Sequence, residues 1–383
     1  MAKRVILAVA GAGKTYHICH KIDSTKRNLI LAFTHENIYN IQKELSDAYG
    51  CAPELTTVMT FDSFVYHHLV LPYEPSIASH FGISNFISRG ICTVEPPQKC
   101  IPKTTVPNPY YVKKNQLFHY VTSNYQYYCA TLSELVLQVK QKNYNLIKRA
   151  SHRLNMFFDC VLIDEFQDFR EYNYELIVAL AQYLNDVVLV GDYYQHSVSG
   201  RNNSGKPFKK GRVDISYTEF ITALRNANFE VDLTTLDKSR RCSIETCEFV
   251  SKKLGINITS CNFNKGSIIW ATNNVSKILE NDHLLKLVYK DSASYTFRAM
   301  NWSYSKGDTV DEACVILTDK FENLNEDSFS VSKIPIPTIN KLYVALTRSR
   351  GNLYIIKQSM FKVVKSAYIK LMIHKTIDFL RNP

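Results

Sequence analysis

The stretch KRVILAVAGAGKT, Lys3 to Thr15, decides how the rest of the chain is read. Lys3 to Val9 is a short, largely apolar run of the kind that makes a strand buried in a parallel sheet. Gly11-Ala12-Gly13-Lys14-Thr15 follows at once, and a helical stretch opens at Tyr16. Strand, glycine loop and helix, in that order, are the context of a phosphate loop. The glycines let backbone N–H groups close around nucleotide phosphates, and the helix N-terminus adds its positive dipole end. Ala10, Gly11, Ala12, Gly13, Lys14 and Thr15 are therefore the candidate ATP-binding residues. In this pattern Lys14 neutralises γ-phosphate charge and Thr15 ligates Mg²⁺. Ala8 stands where the general pattern has its first glycine.

A second apolar strand, Phe157 to Ile163, ends in Asp164-Glu165. Carboxylates at the C-terminal edge of a parallel strand point into the ligand crevice. One would serve the metal and the other the water: Asp164 holds Mg²⁺, and Glu165 orients and deprotonates the attacking water. A solvated acidic turn does not explain why the pair follows so apolar a strand. A third strand, Val187 to Val190, leads to Gly191-Asp192, with Gln195 placed to contact both γ-phosphate and water. Arg240 and Arg241 are expected to open a helix, and Leu342 to Arg350 reads as a helix presenting Arg348. An arginine aimed at a transferring phosphoryl group stabilises its charge, an effect of ~10³-fold or more in rate.

The chain has 383 residues, 45% of them hydrophobic, and a formal net charge of +11. That length predicts two or three domains. No apolar run is long enough for a transmembrane span, so no membrane partner is expected. The basic-then-apolar N-terminus is read as the first core strand and not as a leader. Ten scattered cysteines without a C-x-x-C pair predict reduced thiols and a cytoplasmic protein. The positive charge favours a polyanionic partner. Its distribution is more telling: Lys99 to Arg153 holds nine Lys/Arg, seven Tyr and one acid, Glu134. Basic side chains interleaved with rings suit a single-stranded nucleic acid, because cations track phosphates and rings stack on bases. A solvated basic surface over a small tyrosine core fits the same composition.

Taken in order, VLIDEFQD (Val161 to Asp168), LVGDYYQ (Leu189 to Gln195) and NKLYVALTRSR (Asn340 to Arg350) join the phosphate loop. With them the chain resembles a superfamily 1 helicase of the UvrD/Rep-like kind. Leu31 to His35 resembles the family's LTFTN segment, and Thr60 to Phe64 its TFHSF segment. Ser239 to Ser243 resembles the fourth motif and Ser305 to Thr309 the fifth. The resemblance implies an α/β fold of two RecA-like P-loop NTPase domains with ATP and Mg²⁺ in a cleft. It implies ATP handling by Lys14, Thr15, Asp164, Glu165, Gln195, Arg241 and Arg348. It places Phe33, Thr34, Thr60, Ser63, Lys306 and Thr309 against the nucleic-acid strand. The implied activity is ATP-dependent translocation on single-stranded DNA, 3′ to 5′; duplex ends, or RNA in place of DNA, are the alternative substrates. The alternative is a nucleic-acid-triggered ATPase switch that controls a partner such as a nuclease, without processive unwinding.

The sequence departs from that family in four places. The family's upstream glutamine motif has no counterpart, so adenine selectivity has no residue assigned to it. Arg241 and Lys306 are only 65 positions apart, so the large insertion of the second domain is missing. The aromatic-Arg pair after the third motif reads Gly200-Arg201, and the tyrosines of 110–144 are candidates to replace its ring. The fifth motif reads KGDT, and Thr309 brings it nearer the branch that moves 5′ to 3′. The expected layout is a first RecA-like domain of 1–70 with 150–200, an inserted accessory subdomain of 71–149, and a second RecA-like domain of 201–383 ending in a helix. Asn115 to Arg149 is expected to be helical. The Gly/Asn/Lys-rich stretch Ser199 to Gly211, with Lys206, Lys209 and Lys210, is expected to cross between the domains.

Overall fold

The computed structural model describes residues 3–141, 144–196 and 205–369. The chain packs as two units. The first takes the strand ending at Ala8, Gly13–Tyr193 and the chain as far as Leu236; the second takes Val9–Ala12, the segment from Tyr194, and the chain from Asp237 onward.

The first unit is built on six strands: β1 Lys3–Leu7, β2 Asn28–Ala32, β3 Thr56–Thr60, β4 Cys160–Ile163, β5 Asp186–Gly191 and β6 Glu230–Asp232. Their order is β6-β1-β5-β4-β2-β3, and every pairing is parallel. The near-continuous apolar runs are the reason, since such strands can bury both faces only when helices cover them. β2 is buried along its whole length. Register aligns Leu7 with Gly191, Ile163 with Leu189 and Ala32 with Thr60. The loops after β1, β2, β3, β4 and β5 therefore share one edge of the sheet, where ligands of open α/β sheets bind.

Between β3 and β4 lies the inserted segment. Two-residue strands at Ile91–Cys92 and Tyr127–Tyr128 pair there, and a helix runs over Leu132–Gln138. The helix expected over Asn115–Arg149 forms only in part: Leu117–His119 is a 3-10 turn, and the next long helix is Leu146–Phe157. Tyr120 and Tyr127 turn inward as core, but Tyr120 closes the 3-10 turn Leu117–His119 and Tyr127 opens the two-residue strand, so no helix carries them.

The second unit holds β7 Ile268–Trp270, β8 Leu285–Val288, β9 Ala299–Asn301, β10 Ala313–Ile316 and β11 Leu353–Ile356. Their order is β7-β11-β10-β8-β9, again wholly parallel. The sequence predicts four of these strands, within Ser267–Thr272, Thr296–Asn301, Ala313–Thr318 and Asn352–Ile356, and the four lie there. β8 was not foreseen, because Lys286 interrupts its apolar pattern; the side chain is nonetheless buried, and its ammonium donates to the Asn281 carbonyl. Two parallel sheets flanked by helices meet the expected fold class.

The boundary between the units needs correcting. Residues 205–236 pack with the first unit, not the second, because β6 adds to the free edge of β1. Of the expected linker, 199–204, including Gly200-Arg201, lies outside the described residues. Its later part forms a hairpin, Lys209–Lys210 against Val213–Asp214. Lys206 and Lys209 have acidic partners there, Glu175 at 2.8 Å and Asp214 at 3.7 Å. The expected C-terminal helix lies mostly beyond Ile369, outside the described residues. No helix among the described residues is long and apolar enough to cross a membrane, and none of the ten cysteines forms a disulfide.

Candidate functional site

The phosphate loop leaves β1 at the sheet edge. Gly13 sits at φ 86°, a left-handed conformation that L side chains rarely adopt, and caps the helix Lys14–Lys21. Lys14 is thereby the first residue of that helix and Thr15 the second. Ala8 extends the pairing of β1 by donating to the Gly191 carbonyl at 2.8 Å. Val9–Ala12 pack with the second unit, where the Ala10 N–H donates to the Tyr343 hydroxyl at 2.7 Å.

Asp164 and Glu165 follow β4 on the same edge. The Thr15 hydroxyl donates to Asp164 Oδ2 at 2.7 Å, and Lys14 Nζ lies 3.3 Å from Glu165 Oε1. The structure thus brings four of the expected residues into one cluster. Asp164 is 1% exposed, and burial first, then the Glu165 charge, pushes its carboxyl up to about 6. The Thr15 hydrogen bond and Lys14 act in the opposite sense. Glu165 has φ 51° and ψ 43°. A non-glycine residue held there is strained by order 1 kcal/mol or more and persists only where its surroundings over-determine it. Here the Glu165 N–H is tied to Asp164 Oδ1 at 2.9 Å.

Gln167 completes the cluster and was not among the expected site residues. Its amide nitrogen donates to Glu165 Oε2, and its amide oxygen accepts the Asp192 N–H at 2.9 Å. One side chain therefore links the acidic strand end to the loop after β5. Gly191 makes room for it, since a Cβ there would stand 2.7 Å from Gln167 Oε1. The available signal was a glutamine set among apolar and acidic residues in DEFQD, a polar side chain that must be hydrogen-bonded once buried.

Thr34 follows β2, and Thr60 is the last residue of the neighbouring strand β3. Both are helix caps: Thr34 accepts the Asn37 N–H at 3.1 Å, and Thr60 accepts the Ser63 N–H at 3.3 Å. Phe33 packs edge-on to Phe169 at 5.6 Å. These three candidate strand-facing residues, with Ser63 as the fourth, lie along the same sheet edge.

In the second unit Arg241 precedes its helix instead of opening it; the helix is Ile244–Leu254, with Ser243 as N-cap. The serine hydroxyl caps the N–H groups of the first turn, which an arginine cannot do. Arg241 donates to the Thr347 carbonyl at 3.2 Å, and the next residue, Arg348, donates to the Thr347 hydroxyl at 3.4 Å. Arg348 is 1% exposed. Its guanidinium also donates to the carbonyls of Val344 (2.8 Å), Ser305 (3.1 Å) and Asp308 (3.3 Å). The turn bearing Lys306 and Thr309 is therefore held by Arg348. Gln195 is buried in the turn Tyr193–Gln195.

A family model described as an AAA domain matches residues 2–201. A second, described as the viral superfamily 1 RNA helicase core domain, matches residues 115–357. No curated protein matches the chain. Solved structures similar to it include the helicase of PRRSV, at 13% identity and a TM-score of 0.43, over 95% of this chain and 54% of that one. The arterivirus nonstructural protein 10 helicase is 12% identical with a TM-score of 0.42, over 92% and 59%. The arterivirus nonstructural protein 10 helicase in complex with DNA is 12% identical with a TM-score of 0.44, over 95% and 62%. The chain thus spans little more than half the length of these structures.

Proposed function

The chain belongs to the superfamily 1 helicases, which hydrolyse nucleoside triphosphates, and from that premise we propose that it is an ATP-driven motor on single-stranded nucleic acid. The observation that carries this reading is the pairing of Thr15 with Asp164 and of Lys14 with Glu165. Two adjacent carboxylates face the two phosphate-loop side chains that such chemistry requires. Thr15 and Asp164 offer hard oxygen donors 2.7 Å apart, a donor set that fits Mg²⁺. When bound there, the cation would neutralise phosphate charge. Lys14 binds the γ-phosphate, and a phosphate on that ammonium competes with Glu165 for it. Glu165 is then released to accept the proton of the attacking water. Gln167 fixes the position of that carboxylate. Gln195, Arg241 and Arg348 keep, by their places in the motifs, roles toward the γ-phosphate. A cytoplasmic setting accords with the free thiols.

The finer reading, single-stranded DNA tracked 3′ to 5′, rests on the UvrD/Rep-like motif set. Two observations favour a second: the matched family is described as an RNA helicase, and Thr309 resembles the branch of opposite polarity. Steady-state ATP hydrolysis with no nucleic acid, single-stranded DNA, duplex DNA and RNA tests the proposal. Strong stimulation by one single strand is expected and identifies the substrate; no stimulation by any of them overturns the motor. Strand displacement on duplexes with a 3′ or a 5′ tail then gives polarity. Stimulated hydrolysis without displacement marks a switch acting on a protein partner.

A further inference from the structure

The inserted segment holds a cavity of about 420 Å³ that none of the helicase motifs uses. Tyr110, Phe118, His119 and Tyr128 line it, together with apolar side chains such as Val112. Tyr120 and Tyr127 are core, but Tyr110 is 79% exposed and Phe118 42% exposed. Two rings are thus presented to solvent around an open cavity. Tyr110 is held by a turn in which its N–H donates to Asn108 Oδ1 at 3.0 Å. The Asn108 N–H in turn donates to the Lys99 carbonyl at 3.0 Å.

The polar groups suit a base. His119 Nδ1 lies 2.6 Å from the Val112 carbonyl. A carbonyl only accepts, so Nδ1 carries a proton, and in the uncharged ring Nε2 is left as an acceptor. The charges suit a phosphate backbone. Lys99 beside the Tyr110 turn and Lys113 beside Val112 are both exposed. Glu134, the sole acid from Lys99 to Arg153, is buried and engaged by Lys114. A cavity walled by rings, with the polar side chains of His119 and Ser123 in its lining and cations beside it, is chemically a nucleotide-sized site.

We infer that this cavity takes one unstacked base of a single-stranded nucleic acid. Tyr110 and Phe118 are its stacking rings, and Lys99 and Lys113 hold the flanking phosphates. The inference rests on the single-strand reading above and adds where a base is gripped.

The test compares binding of a fluorescein-labelled oligothymidylate and an abasic strand of equal length. The double variant Tyr110→Ala/Phe118→Ala is expected to bind the base-bearing strand about tenfold more weakly and the abasic strand unchanged. Retained binding of the abasic strand also shows that the variant is folded. Phe118→Trp is expected to keep the parental affinity. Lys99→Ala/Lys113→Ala is expected to weaken both strands alike and to flatten the salt dependence. Equal loss on both strands by the ring variant, or no loss on either, overturns the inference alone. A parent protein that binds neither strand overturns the proposed function and the inference with it.

Discussion

The two parallel sheets end in chemically different edges. In the first unit polar and charged side chains at the sheet edge face one another: the Thr15 hydroxyl meets Asp164, and Lys14 meets Glu165. In the second unit Arg348 is spent on backbone, donating to the carbonyls of Val344, Ser305 and Asp308. One edge carries buried charge that a cation and a phosphate can satisfy. The other uses a cation to hold a turn in shape. The same architecture therefore yields a reactive edge and a clamped edge. Residues that family resemblance groups together as ATP-handling differ in what their loss should do to stability.

Arg348→Lys separates the edges most strongly. A lysine cannot reach the same set of carbonyls with a planar fork. Turnover is expected to fall about 10³-fold, and the thermal midpoint of unfolding is expected to fall with it. Unchanged stability would show that the clamp is incidental.

Asp164→Asn should do the reverse. Its carboxyl pKa is raised from 3.8 to about 6, so between those values the folded state holds a proton that the unfolded state has lost. Stability therefore declines as pH rises across that window, and the burden is complete above it. The asparagine variant is expected to melt at a higher temperature than the parent at pH 7.5 without Mg²⁺, and at a similar one near pH 4. Mg²⁺ is expected to raise the parent's midpoint more at pH 7.5 than at pH 5, and the variant's at neither. A metal shift that survives in the variant would place the cation elsewhere.

Gln167→Glu probes the link between the two loops of the reactive edge. Glutamate keeps an acceptor for the Asp192 N–H but loses the donor to Glu165. A fall in kcat of about tenfold with little change in KM is expected, in line with one lost hydrogen bond to a charged group. Loss of stability without loss of kcat would make Gln167 a packing residue only. The smallest effect belongs to Thr34. As an N-cap, its replacement by alanine is expected to cost about 1 kcal/mol of stability, read from the denaturant midpoint, whereas serine restores it. An alanine variant of full stability would return Thr34 to a purely strand-facing role.

Those contrasts follow what could be read from residues alone. Strand, glycine loop and helix are local, so Lys3 to Thr15 specified both the first strand and the position of Lys14. DEFQD likewise placed Asp164 and Glu165 after an apolar strand. Gln167 escaped because its partners, Glu165 and Asp192, meet only once β4 and β5 pair. β8 escaped because Lys286 looks like a surface residue until its stem is buried and its ammonium satisfied. The unit boundary was set too early because β6 is a three-residue strand, and its pairing with β1 is a long-range event with no local signature. The inserted segment was the least legible part. Its tyrosines divide into core and surface through turns, not through any period of helix or strand.

The most direct test of the reactive edge is a pair of measurements on Glu165→Gln: equilibrium binding of a fluorescent ATP analogue with Mg²⁺, and single-turnover hydrolysis of ATP. Glutamine keeps the size of the side chain and removes the base. Binding close to the parental affinity with hydrolysis about 10²- to 10⁴-fold slower is expected. Hydrolysis at the parental rate would contradict the assignment of Glu165 as the group that takes the proton from water.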